Sequence, residues 1–248
     1  PSLPVGCRHD PDLLRTELEM TNVQIVRWAS LEEHDRTRLM RRAQIDIDEA
    51  LAVVGPIVDD IRAHGGSAVR RWVHKLDSPE IVDPESVQLE VSAEEIAVAR
   101  TEVERYDAGR RNGLGLLKAI ETAIENVVTY HEDQPRSIDW ETEVRHGVTA
   151  GERVTPIDSV GIYVPRGKGS FPSVAYMLAV PAYIAGVPEI AICTPPDGGG
   201  VADAACLVTA EMVASRFGRL PSIYKIGGAQ AIAALAFGAE PIPRVAKV

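Results

Sequence analysis

From Ser159 onward, short apolar runs alternate with helix-length segments, and this alternation constrains the fold more than any other feature of the chain. Val160-Gly161-Ile162-Tyr163-Val164 reads as a buried strand ended by Pro165. Ser170 to Ala185 reads as a helix with Pro172 in its first turn and a kink at Pro181. Glu189-Ile190-Ala191-Ile192-Cys193 reads as a second strand, closed by Thr194-Pro195-Pro196, and Ala202 to Phe217 as a second helix. Ile223-Tyr224-Lys225-Ile226 is a third strand, and Ala229 to Phe237 a small-residue helix after Gly227-Gly228. Arg244 to Val248 opens another strand, inside which the chain stops, so a truncated C-terminal end is expected. Strands joined by helices cannot pair as hairpins. They pair in parallel, with the helices covering the sheet. The expected class is α/β: an incomplete Rossmann-like parallel-sheet domain over 156–248, preceded by a mainly helical region over 1–155 that contributes to the first α/β domain.

The preceding residues differ in chemistry. Residues 1–150 hold 29 acidic and 18 basic side chains, net −11, whereas 151–248 hold 7 and 8, net +1. Ser30-Leu31-Glu32-Glu33 has the form of a capping box. Apolar residues then recur at helical spacing through Leu39, Ala43, Ile47, Leu51, Val54, Val58 and Ile61. Gly55-Pro56 predicts two helices or a kinked one, His64-Gly65-Gly66 an end, and Ser67 to Lys75 a short helix. Val87 to Val91 alternates like a brief strand. Ser92-Ala93-Glu94-Glu95 is a second capping box, opening a helix to about Ala108. A helix from Asn112 to Glu132, stopped before Pro135, and a hairpin within Val144 to Val154 around Gly147 or Gly151 complete the pattern.

Composition narrows the function classes. The 248 residues carry a net charge of −10, with a pI near 5.1. Phosphate backbones demand a basic face, so a general nucleic-acid binder is not expected. No apolar run reaches the ~20 residues of a membrane span. The start shows no basic segment followed by an apolar one, so no secretory signal is visible. Cys7, Cys193 and Cys206 are odd in number and widely spaced, which supports neither a disulfide framework nor a structural zinc site. A reducing, cytoplasmic location is the expectation.

Two glycine-bearing junctions carry the candidate chemistry. Tyr163-Val164-Pro165-Arg166-Gly167-Lys168-Gly169-Ser170-Phe171-Pro172-Ser173 joins a strand to a helix. Open α/β sheets bind ligands at that end of their strands. Its glycines allow close approach, the helix start offers N–H groups to an anion, and Arg166 and Lys168 add positive charge. It is neither a P-loop, because Gly169 follows Lys168 where Ser or Thr would bind magnesium, nor a GxGxxG fingerprint. Gly227-Gly228-Ala229-Gln230 is the second junction. Gln230 is expected in the crevice beside the first loop, where an amide can fix a ribose or another amide. The histidines (His9, His34, His64, His74, His131 and His146) form no HxxxH or HxH pair, and no GxSxG elbow occurs.

Longer motifs surround these junctions. They are Pro156-Ile157 with Val160 to Pro165, Phe171-Pro172-Ser173, Ala179-Val180-Pro181-Ala182, Ala185-Gly186-Val187 and Thr194-Pro195-Pro196. The run from Tyr224 to Gly238, Ile242-Pro243, Ile61-Arg62 to Leu76-Asp77 and Asn126 to Gln134 complete the set. Together they resemble the histidinol dehydrogenase family over most of residues 45–248. The resemblance implies two related, incomplete Rossmann-like domains and a homodimer whose sites use both subunits. It implies an NAD-dependent, zinc-requiring enzyme acting on a small-molecule alcohol. Such enzymes oxidise an amino alcohol through an aldehyde to the acid in two hydride transfers. Zinc polarises the substrate, and a Glu–His pair moves protons. The family's NAD contacts match Tyr163 and Gln230.

The family's Gly-Pro-Gly-Asn loop, zinc ligands and Glu–His pair are expected beyond Val248. This chain alone is therefore expected to bind NAD weakly and not to turn over. Arg166-Gly167-Lys168-Gly169-Ser170-Phe171 replaces a more neutral glycine-rich loop, as in relatives acting on sulfonated diols. The added cations suit an anionic substrate or the NAD pyrophosphate. A sulfopropanediol-type dehydrogenase and a catalytically empty binding or dimerisation module are the alternatives.

Overall fold

The computed structural model describes residues 26–40, 47–109, 113–134, 139–167 and 169–248. Cys7, His9, Ala43, Asn112, Pro135 and Lys168 of the readings above lie outside them. The chain divides into two compact units, residues 1–50 and 51–248. In the first, a 3-10 turn (Trp28–Ser30) precedes α1 (Glu33–Met40). The capping box expected at Ser30 does not form. Ser30 closes the 3-10 turn, and its hydroxyl donates to the Arg27 carbonyl, while α1 begins only at Glu33.

Helix α2 (Ile47–Leu76) enters the second unit. Gly65 sits at φ 55°, ψ −132° and divides it into two helices. Pro56 lies inside the first without breaking it. The buried stripe is Ile57, Ile61, Ala68, Val69 and Val73, whereas Leu51 is exposed. Helix α3 (Ala93–Ala108) opens on a formed capping box. Ser92 Oγ accepts from the Glu95 N–H, and Glu95 Oε2 accepts from the Ser92 N–H. Helix α4 (Leu116–Glu132) buries Ile120, Ile124 and Val128 at i, i+4, i+8 spacing. Strands β1 (Trp140–Arg145) and β2 (Val148–Glu152) pair antiparallel around Gly147, with all their residues exposed.

The α/β part follows as β3 (Ser159–Tyr163), α5 (Pro172–Ile184), β4 (Glu189–Thr194), α6 (Ala204–Phe217), β5 (Ser222–Lys225) and α7 (Gly228–Phe237). The three strands form a parallel sheet in the order β3-β4-β5. Both outer edges are extended. The Gly161 N–H donates to the Lys247 carbonyl at 2.8 Å, so the returning chain lies parallel beside β3. On the far side the segment at Leu89–Val91 bridges β5 antiparallel. The chain thus runs outward from β3 through β4 to β5 and then returns to β3's other edge. That reversal falls at the carboxyl end of β3, the position at which open α/β sheets bind ligands.

Strand periodicity sends alternate side chains into two separate cores. Ile190, Ile192, Ile162 and Ile223 pack under α3, α4, α5 and α6. Ala191, Cys193, Tyr224 and Ile226 pack under α7 and the second part of α2. Fully burying each Ile or Leu contributes about 1.5–3 kcal/mol. Alanines bring α7 close to the sheet, and Leu235 is driven against Gly161. A Cβ on Gly161 would lie 2.8 Å from Leu235 Cδ1. The helical segment before residue 155 therefore covers both faces of the sheet.

Candidate functional site

The parallel sheet brings Tyr163, Thr194 and Lys225 to one edge, since each ends its strand. Beside Tyr163, the chain leaves β5 and turns into α7 through Gly227-Gly228. The Gly228 N–H donates to the Tyr163 hydroxyl at 3.1 Å. Gly228 has φ +53°. A Cβ on Gly227 would lie 2.8 Å from both Asp77 Oδ1 and Pro195 Cγ, so only glycine fits there.

Asp77, just beyond α2, reaches this turn. Its Oδ2 accepts from the Gly227 N–H and from Gln230 Nε2, each at 3.0 Å. Burial raises the Asp77 pKa above its ordinary value, and these two donors only partly offset the rise. Gln230 is 2% exposed. Its amide lies under Gly228, where a Cβ would meet Oε1 at 2.8 Å. The sequence reading expected Gln230 in the open crevice. The structure instead buries it, because the Asp77 carboxylate draws its amide inward. Tyr163 and Gln230 are nonetheless brought together across one glycine turn. Asp77 escaped the reading as a site residue. It is 150 residues from Gly227 in sequence, and although Leu76-Asp77 ends one of the family-like stretches, nothing local gives it a role at this turn.

Arg166 sits elsewhere. Its guanidinium donates to the Val201 carbonyl at 3.0 Å. It lines a cavity of about 330 Å³ with Glu102, Ser170, Asp197 and Asp203. Ser170 Oγ donates to Asp203 Oδ1, which also caps α6 through the Cys206 N–H. The loops after β3 and β4 are thereby tied together. Cβ atoms on Gly167 and Gly169 would meet nothing within 4 Å, so this loop has open space above it.

The remaining reactive groups are sequestered. Lys225, 6% exposed, donates to Glu95 Oε1 at 2.6 Å. Burial pushes the Cys193 and Cys206 thiols up to about 12, with Asp203 adding to the effect at Cys206. Neither is a thiolate nucleophile near neutral pH. Thr194 Oγ1 is buried with no hydrogen-bond partner among the described residues. A cavity of about 680 Å³ opens at the other end of the sheet beside Val160 and Val187, with a mainly aliphatic lining. It is remote from Tyr163 and Gln230. Among the described residues no three His, Cys, Asp or Glu side chains could hold a metal ion. Among them, too, no helix is long and apolar enough to cross a membrane.

Comparison with known proteins agrees with this architecture. The family model for histidinol dehydrogenase matches residues 40–248. A histidinol dehydrogenase homolog from Rhizobium meliloti (strain 1021) is 38% identical over 239 residues, covering 96% of this chain and 49% of that protein. The histidinol dehydrogenase of Bacillus subtilis (strain 168) is 37% identical over 214 residues, covering 86% and 45%. The crystal structure of histidinol dehydrogenase from Elizabethkingia anophelis superposes with a TM-score of 0.64 at 31% identity. That match covers 78% of this chain and 40% of the other. The chain spans about half the length of the curated relatives it matches. With its sheet order, its glycine turn at Tyr163 and these matches, the chain belongs to the histidinol dehydrogenase family.

Proposed function

We propose that this chain is the NAD-binding part of a dehydrogenase that oxidises a small-molecule alcohol through an aldehyde to the acid. The observation that carries this reading is the strand order, with Tyr163 and the Gly227-Gly228 turn beside its reversal point. The residues fit a dinucleotide. Tyr163 offers a half-buried ring and a hydroxyl, the start of α7 offers backbone N–H groups, and the Gly167–Gly169 loop leaves room above the sheet edge. In this reading Tyr163, backed by the buried Gln230, holds the nucleoside end, and the charges of Arg166 and Lys168 are proposed to attract the pyrophosphate. NAD, when bound, supplies the hydride acceptor. The chain's own groups bind and orient it, and the two apolar cores beneath keep that edge rigid.

Zinc is different. The described residues offer no ligand set for it. Its ligands, the proton-moving pair and the partner subunit of a homodimer belong, in this reading, to other parts of the assembly in a cytoplasmic enzyme. The Arg166 charge, held by the Val201 carbonyl, does not distinguish a sulfonated substrate from the NAD pyrophosphate.

Calorimetric titration of the 248-residue chain with NAD tests the reading. Saturable binding is expected, weakened about tenfold by Tyr163→Ala or Gln230→Ala, the scale of one lost hydrogen bond or ring contact. Absence of binding, or affinities indifferent to both substitutions, would remove NAD from this edge.

A further inference from the structure

We infer that Asp77 is the positioning residue of this nucleotide site, acting through the Gly227 N–H and the Gln230 amide on the turn that Tyr163 faces. The inference rests on the NAD reading above and goes beyond it. Both donors converge on the same oxygen, Oδ2, at 3.0 Å each. Oδ1 and Pro195 wall the other side of Gly227. The turn that starts α7 is therefore clamped by a residue from a separate helix.

The clamp also fixes the polarity of Gln230. An amide can present either its NH2 or its oxygen. A carboxylate accepts only, so Nε2 must face Asp77 and Oε1 must face the Gly228 side. On that side Gln230 is an acceptor. Since Gln230 is 2% exposed, that oxygen acts on a ligand through the shape of the turn it packs against. The Gly228 N–H, held by the same turn, is aimed at the Tyr163 hydroxyl. With Asp77 absent, two buried donors lose their partner, the amide is free to flip, and the turn loosens.

Among the described residues, the groups that bond the Asp77 carboxylate are the Gly227 N–H and the Gln230 amide, both uncharged. A neutral acceptor of the same shape can therefore replace it. Asp77→Asn can place its single oxygen where Oδ2 lies and keep both bonds. Asp77→Ala cannot.

The test is NAD affinity of the 248-residue chain by calorimetry, alongside melting temperature. Asp77→Ala is expected to weaken NAD about tenfold or more, and Asp77→Asn to stay within about threefold of wild type. Because Asp77 acts through Gln230, the Asp77→Ala/Gln230→Ala double variant is expected to bind little worse than the weaker single variant. A purely structural role would lower the melting temperature of Asp77→Ala and leave NAD affinity unchanged. That result, additive losses in the double variant, or an Asp77→Asn variant as weak as Asp77→Ala would each overturn the inference while leaving the NAD reading intact. If Asp77→Ala does not fold, Asp77→Asn against wild type decides: affinity within about threefold supports the inference, and a loss of about tenfold or more overturns it. A wild-type chain that takes up no NAD would overturn both.

Discussion

Two carboxylates of the α2 region show how neighbours decide the sign of a pH effect. Asp60 is pushed up by burial, but hydrogen bonds from His64, Trp72 and Arg71, with the Arg71 charge, outweigh that and hold it below its ordinary 3.8. Among the described residues no cation offsets burial at Asp77, and burial raises it above 3.8. Folded Asp60 binds its proton less readily than unfolded Asp60. Its stabilisation is therefore complete above 3.8 and is lost as pH falls through the lowered value. For Asp77 the unfolded chain releases its proton first. Stability therefore falls as pH rises from 3.8 to the raised value, and acidification through that window favours the fold. Urea midpoints measured from about pH 7 down to about pH 3 should diverge accordingly. The wild type's margin over Asp60→Asn should shrink at the acid end. Its position relative to Asp77→Asn should improve as pH falls toward 4. Slopes of the same sign for both variants would contradict the assigned environments.

Helix α3 draws its fixed start from one residue used twice. Glu95 Oε2 closes the capping box, while Oε1 neutralises Lys225 on the sheet. Ser92→Ala removes only a cap, costing about 1 kcal/mol. Glu95→Ala removes the cap's return bond and also leaves the Lys225 ammonium buried without a partner. Its cost should reach about 3 kcal/mol, the low end for a broken buried pair, since Glu95 itself is a third exposed. Urea denaturation of the two variants checks the order, and equal losses would mean that Lys225 finds water instead.

The capping box was legible because Ser-x-x-Glu is a local code, and β3, β4, β5 and their helices because periods of 2 and 3.6 are local too. Locality also misled. Ser30-Leu31-Glu32-Glu33 has the same spelling, yet its serine is spent on closing a 3-10 turn. Pro56 spells a break that does not occur, whereas the end spelled by His64-Gly65-Gly66 falls where the chain does bend, at Gly65. The candidate site was half legible for the same reason. Tyr163 and Gln230 sit at strand–helix junctions that a pattern can find. The Asp77 clamp joins positions 150 and 153 residues apart, and Arg166 turns toward a carbonyl 35 residues away.

At the scale of the whole molecule, stability is distributed unevenly, and the distribution follows from which elements lie between the two apolar cores. Strand β4 has neighbours on both edges and a core on each face, with Ile190 to Thr194 all buried. Strands β3 and β5 share those cores. The β1–β2 ribbon has no such cover. Every residue in it is exposed, including Trp140, Val144 and Val148. A lone two-stranded ribbon is marginal in water. Amide hydrogen exchange on the 248-residue chain should therefore span the full range. Amides of β4 should open only with global unfolding, and those of β1 and β2 should exchange orders of magnitude faster through local opening. The tie of Tyr163 to Gly228 and of Gly227 to Asp77 couples the candidate site to the slow class, so the Gly227 and Gly228 amides should exchange with the sheet rather than with the loops. A protected ribbon would show that its exposed face is covered in solution. A fast Gly227 amide would show that the Asp77 clamp opens independently of the sheet and cannot hold a rigid nucleotide edge.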